Sequence, residues 1–288
     1  MILVTGASGT AGKEVANEVA KSGAKFRAMF RSPGEAKQAP AGTETVIADF
    51  AKEETLGPAL AGISSVYLVC SPVPDLVQLE GNVIAACEKS SVQHVVLNSA
   101  LGAGDYDQSF PSWHRKVEDR LRSTRLSWTI LRPNSFHQNT VTYYAPSIRG
   151  ENAFYGSLGE ARMSYVDVRD VAAVAASALA GGHAGKIYEL NGPEALTSSE
   201  LAAKISQHSG HPVRYVDIPV EAQRQSLLDL GMPQWQVSAL LALQQYYVNG
   251  KGGDLDATLT GLLGRPPIAM DEFLSENAPL FRAQRASA

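Results

Sequence analysis

Gly6, Gly9 and Gly12 stand three residues apart, directly after the apolar run Ile2-Leu3-Val4. Beyond them Val15, Val19 and Ala20 recur at helical spacing. The order is buried strand, tight turn, helix. In that arrangement Gly6 supplies the turn and Gly9 removes a Cβ that would obstruct a phosphate. Gly12 lets the helix pack close to the strand. Backbone N–H groups of Ser8, Gly9, Thr10, Ala11 and Gly12 are then placed to meet a pyrophosphate at the positive end of the helix. The pattern predicts a dinucleotide site; the alternative is a glycine turn with no ligand.

The rest of the first half repeats the same alternation. Apolar strands are expected at residues 25–30, 45–50, 65–70, 94–99 and 126–131, with helical patterns between them. Strands and helices that alternate six times predict an α/β fold, a Rossmann-type doubly wound parallel sheet. A further strand at 186–191 follows the alanine-rich helix at 172–180. Residues 1–190 are therefore expected to form the nucleotide-binding domain, with residues 134–165 leaning toward its cleft. The remainder, 191–288, is expected as a smaller α-rich lobe. In it Thr197 and Glu200 have capping-box spacing.

With 288 residues, 44% of them apolar, the chain has ample material for a core. A net charge of −4 leaves no basic excess to neutralise phosphates, so neither a nucleic acid nor an anionic membrane is expected as partner. Only two cysteines occur, Cys70 and Cys87, each in an apolar context, which suits a reducing compartment. The head of the chain enters the first strand at once, and the longest small-apolar run, 171–180, is too short to span a bilayer. A cytoplasmic protein, monomeric or homodimeric, is the expectation. His208 and His211 lack a set of Cys or carboxylate partners at ligand spacing, and no metal is expected.

Ligands of open α/β sheets bind at the carboxyl ends of the strands. Arg31 ends the second strand, where an NAD-specific chain carries an acid, and no acid stands beside it. A guanidinium can clasp a 2′-phosphate through two N–H groups, which favours NADP(H). Asp49 ends the third strand; it can accept from the adenine amino group, cap the next helix, or both. Cys70 and Ser71 open the loop expected to pass over the adenosine half. Ser99 and Pro133 end the fifth and sixth strands, beside the expected nicotinamide. A flexible loop is expected at 100–107.

Several segments together resemble the NmrA-like family of atypical short-chain dehydrogenases, the branch that includes triphenylmethane-dye and quinone reductases. They are Val4-Thr-Gly-Ala-Ser-Gly-Thr-Ala-Gly12, Arg31, Leu126-Ser-Trp-Thr-Ile-Leu-Arg-Pro133 with Asn134 and Phe136, Tyr165-Val-Asp-Val-Arg-Asp-Val-Ala172, and Pro266-Pro267 ahead of Glu272-Phe273-Leu274. The resemblance covers nearly the whole chain. It implies a Rossmann domain, a smaller C-terminal lobe and an active cleft between them. Most short-chain dehydrogenases carry a Tyr-x-x-x-Lys pair, and no such pair is expected after Ser99. Many NmrA-like reductases place a Lys four residues before a helix Glu. Here that register holds His114 opposite Glu118, with Lys116 two residues off.

These residues point to hydride transfer from NADPH to a quinone-like or other conjugated aromatic acceptor, electrophilic enough to need no strong dedicated acid. His114, if its pKa lies near neutrality, suits protonation of the product oxyanion; a positioning role is the alternative. Asn134, Phe136, His137 and Tyr144 leave the sixth strand and are expected either to line the acceptor side or to seal core. A non-catalytic NADP(H)-sensing regulator is the competing reading.

Overall fold

The computed structural model describes residues 1–282. The chain forms two compact units. The first comprises Met1–Pro133 and Val168–Glu189; the second comprises Asn134–Asp167 and the chain from Leu190 onward. The boundary thus differs from a single cut at residue 190: the 134–167 segment belongs to the second unit.

In the first unit β1 (Ile2–Val4), α1 (Thr10–Lys21), β2 (Phe26–Phe30), α2 (Pro33–Ala36), β3 (Glu44–Ile47), α3 (Glu53–Leu60), β4 (Ser65–Leu68), α4 (Leu76–Glu88), β5 (His94–Asn98), α5 (Ser109–Arg122) and β6 (Ser127–Pro133) follow in order. The second unit then contributes a π-helical turn (Thr140–Tyr144), α6 (Ala145–Glu151) and β7 (Ala153–Gly156). The chain re-enters the first unit with α7 (Val168–Ala180) and β8 (Lys186–Leu190). It ends in the second unit with α8 (Ser198–Ser209), β9 (Arg214–Asp217), α9 (Val220–Asp229), α10 (Gln234–Val248), α11 (Thr258–Leu263) and α12 (Met270–Asn277).

Seven strands lie side by side in the order β3-β2-β1-β4-β5-β6-β8. The pairings from β3 to β6 are parallel. Gly185 N–H bonds Trp128 O at one end of the β6–β8 pair and Asn134 N–H bonds Leu190 O at the other, so β8 runs the same way. β1 is the strand from which the order departs in both directions. The switch point of this doubly wound sheet therefore lies between β1 and β4, the place where such folds hold nucleotides.

The middle of the sheet is sealed because its central strands β1, β4 and β5 are largely buried on both faces, while the edge strands β3 and β8 stay mostly exposed. On one face Leu3, Val66, Leu68, Val95, Leu97 and Ile130 form one cluster with the inner stripes of α3, α4 and α5. The helices α1 and α7 pack on each other, and α7 also packs on β4, β5 and β6. Small side chains, Ala11 and Ala16 on α1 and Ala172, Ala175 and Ala178 on α7, are buried and permit that approach. Each buried Val or Leu contributes about 1.5–3 kcal/mol relative to exposure. In the second unit β7 pairs in parallel with β9, and the Thr197–Glu200 capping box closes the start of α8 as its spacing predicts. No helix among the described residues is long and apolar enough to cross a membrane.

Candidate functional site

The turn between β1 and α1 is built around its glycines. Gly6 has a φ of +58°, and a Cβ on it would lie 2.7 Å from Val69 Cγ1. A Cβ on Gly12 would lie 2.2 Å from the Gly6 carbonyl oxygen and 2.7 Å from that of Thr5. Helix α1 could not then approach the end of β1. Gly9 differs. Its N–H bonds Gly6 O at 2.8 Å, and a Cβ there would meet only that oxygen, at 3.3 Å. Its outer side is open. Helix α1 starts at Thr10 with Gly9 as its cap, no side-chain cap bond and no acid in the first turn. Its N-terminal amides and dipole therefore await an anion from outside. These residues fit a pyrophosphate.

A residue that the sequence reading passed over locks this turn to the switch point. Thr5 Oγ1 donates to Tyr67 O at 2.9 Å and accepts from Val69 N–H at 3.0 Å, joining the ends of β1 and β4. Val69 is thus fixed beside the glycines.

The other expected cofactor residues follow the carboxyl ends of their strands. The Arg31 side chain is 78% exposed. Its neighbour is Glu35, absent from the sequence expectation: the Glu35 carboxylate accepts the Arg31 backbone N–H at 3.1 Å and lies 3.9 Å from the guanidinium. At that exposure the pair is worth less than about 1 kcal/mol, so the guanidinium keeps its donors available. Asp49 does not cap α3, whose N-cap is Lys52; its Oδ1 accepts from Ala51 N–H at 3.0 Å and shapes the turn before the helix. Cys70 is half-buried, and burial pushes its thiol up to about 12, which makes it inert at neutral pH. Ser71 is exposed on the loop that follows. Behind them stands Glu80 of α4, wholly buried with both carboxyl oxygens unpartnered. Burial holds its pKa well above the usual carboxylate range.

At the ends of β5 and β6 the hydrogen bonding is dense. Ser99 Oγ donates to Glu118 Oε1 at 2.5 Å. Arg132 grips the same carboxylate with two N–H groups, Nε to Oε1 at 2.9 Å and Nη2 to Oε2 at 2.7 Å, and reaches Glu189 at 3.4 Å. Leu101 N–H bonds Pro133 O at 3.0 Å, Arg115 Nε bonds Ala103 O at 2.6 Å, and the Arg132 guanidinium lies against Gly104. The start of the 100–107 loop is therefore pinned, where a flexible loop was expected. His114, one turn before Glu118 on α5, is buried, its Nδ1 has no partner, and burial lowers its pKa to about 4. At neutral pH it is an uncharged imidazole, which removes the near-neutral titration expected of it.

The four residues expected on the acceptor side lie in the second unit; Asn134 and His137 are buried in its interior, and Phe136 and Tyr144 are half-buried. Asn134 donates to Asn191 Oδ1 at 3.0 Å and to Gly252 O at 2.9 Å. His137 has no exposed surface; its Nε2 bonds Tyr165 O at 3.1 Å and its Nδ1 lies 3.5 Å from Asp167. A ring so enclosed offers no surface to a ligand. Tyr144 stacks on Phe154 at 4.5 Å with its hydroxyl bonded to Tyr165. Phe136 is half-buried and keeps surface to offer. One string does match Tyr-x-x-x-Lys, at Tyr247 and Lys251. Helix α10 ends at Val248 and Gly250 turns left-handed with φ +79°, so the two residues do not share a helical face. Tyr247 is buried and its phenol is held well above its ordinary pKa by desolvation. His208 bonds Asp271 at 3.0 Å.

A family model described as NAD(P)H-binding matches residues 6–181, the glycine turn and the sheet built behind it. The chain belongs to the NAD(P)H-binding family. This NAD(P)H-binding chain is 35% identical to an NAD(P)H azoreductase of Xenophilus azovorans, over 98% of its own length and all of that protein. It is 34% identical to a (4-alkanoyl-5-oxo-2,5-dihydrofuran-3-yl)methyl phosphate reductase of Streptomyces griseus, over 98% of this chain and 99% of that one. Among solved structures it is similar to the NADPH-dependent quinone oxidoreductase of Escherichia coli complexed with NADPH. The TM-score is 0.88 at 28% identity, covering 96% of this chain and 99% of that one.

Proposed function

We propose that this NAD(P)H-binding chain is an NADPH-dependent reductase that delivers hydride to a quinone-like or other conjugated aromatic acceptor. The observation that carries the reading is its end-to-end similarity to reductases whose named substrates share one chemistry. An azo bond, a ring alkene flanked by carbonyls and a quinone are all conjugated, electron-poor double bonds. Such acceptors take hydride without prior protonation, so positioning and exclusion of water are what the protein must supply.

The nucleotide, when bound, supplies the hydride. The chain's own residues supply the rest. Gly6, Gly9 and Gly12 shape the turn that receives the pyrophosphate, and the N-terminus of α1 offers its amides. Arg31 is the exposed cation at the end of β2 suited to a 2′-phosphate, which supports NADPH over NADH. Ser99 gives its proton to Glu118, so its oxygen serves as an acceptor and not as an acid. His114, neutral, holds one N–H that can orient a group or a water but carries no acidic imidazolium proton. Product protonation is then left to water. Two free cysteines suit a reducing, cytoplasmic setting.

The test is oxidation of NADPH by the purified protein across a panel of quinones and azo dyes. Saturable turnover with at least one acceptor, faster with NADPH than with NADH, is expected. Tight NADPH binding with no turnover on any acceptor would instead identify a nucleotide-sensing protein.

A further inference from the structure

Helix α4 turns one stripe toward the sheet: Leu76, Glu80, Val83, Ile84 and Cys87. Four of these belong to the apolar core cluster. The fifth is a carboxyl with no exposed surface and no hydrogen-bond partner on either oxygen. An unsatisfied buried polar group is costly, so packing alone favours another apolar residue at this position.

The place of Glu80 suggests what the carboxyl does. Burial holds the carboxyl protonated, and the polar group that bears on it in the opposite sense is the Cys70 backbone. Cys70 follows Val69, whose N–H is held by Thr5 and whose side chain fills the space that a Cβ on Gly6 would take. A short chain of contacts therefore runs from Glu80 through residues 69–70 to the turn that receives the pyrophosphate. We propose that Glu80 is a positioning residue for the dinucleotide site: its enclosed carboxyl holds residues 69–71 against the glycine turn and couples nucleotide affinity to a single proton. The inference rests on the NAD(P)H-binding reading of that turn.

The protonated acid fits the enclosure. A carboxylate there meets only the Cys70 backbone, which favours it less than burial opposes it, so it must draw water in around residues 69–70. The titratable groups that bear on Glu80 are Tyr67 and Cys70 on the β4 side, and Arg31 at the end of β2 bears on Cys70 in turn. Burial pushes both the phenol and the thiol upward, so neither is an anion at neutral pH.

The experiment compares NADPH dissociation constants of the wild-type full chain and Glu80→Gln from about pH 6 to about pH 10. The amide keeps the shape and cannot ionise. Similar affinities at the acid end are expected, with the wild type weakening about tenfold or more relative to the variant toward the alkaline end. Parallel profiles overturn the proposal. A second measurement needs only the wild type: proton uptake on NADPH binding above about pH 8, read by calorimetry in buffers of different ionisation enthalpy. Uptake is expected, and its absence overturns the proposal even where the variant fails to fold. No binding by the wild type at any pH would contradict the nucleotide-binding reading itself, and the inference with it.

Discussion

Arg31 and His114 illustrate how one side chain's surroundings set its chemistry. Arg31 is held loosely by Glu35 and open to solvent, so its removal should cost little stability and much discrimination. Arg31→Ala is expected to weaken NADPH binding about tenfold or more while NADH changes less than about threefold, measured by fluorescence titration. Equal weakening of both would remove the case for NADP(H). His114 presents the opposite situation. Its folded pKa, lowered to about 4 by burial, lies below the unfolded value of 6.5. Above pH 6.5 neither state binds the proton and the group is silent. As pH falls toward 4 the unfolded chain takes a proton that the folded chain refuses, and stability drops by about 3 kcal/mol. The wild type should therefore lose stability over that window in denaturant titrations, and His114→Gln should lose less. Identical pH profiles would show that the ring is protonated in place.

At the scale of elements, the loop after β5 is held by the side chains of its neighbours. Glu118 of α5 accepts from Ser99 and from both arms of Arg132, and its side chain is 2% exposed. Glu118→Ala leaves the guanidinium with only the half-exposed Glu189, and is expected to destabilise the fold by about 3–5 kcal/mol in chemical denaturation. A change under about 1 kcal/mol would show that water replaces the carboxylate freely. The elements that sequence made legible are those whose signal is local. The glycine turn needs only a strand end and a helix start, and the Thr197–Glu200 box needs only one turn of chain. What stayed hidden depends on distant partners. Arg132 and Glu118 are joined across the fold, Glu35 reaches back to Arg31 only because Ser32 caps a short helix there, and Glu80 sits at an apolar stripe position that gives no warning. Strand β7 is four residues long and acquires its partner β9 from far along the chain, so no periodicity announced it. His137 could be read as wall or core, because a polar aromatic after a strand end does not reveal whether its ring will be enclosed; the structure encloses it.

For the whole molecule, the first unit contains the seven-stranded sheet, the switch point and every expected cofactor residue, including Arg31, Asp49, Ser99 and Pro133. The chain leaves that unit at Asn134 and returns for α7 and β8, which complete the sheet and cover one of its faces. The second unit contains Asn134, Phe136, His137 and Tyr144, of which Phe136 and Tyr144 keep some exposed surface. The reductase reading depends on a nucleotide seated at the opening turn. The most direct measurement is a crystal structure of the chain grown with NADPH. The pyrophosphate is expected within hydrogen-bond distance of the amides of residues 8–11 at the start of α1, with the 2′-phosphate at Arg31. An empty turn at saturating NADPH, or the nucleotide bound elsewhere, would contradict it.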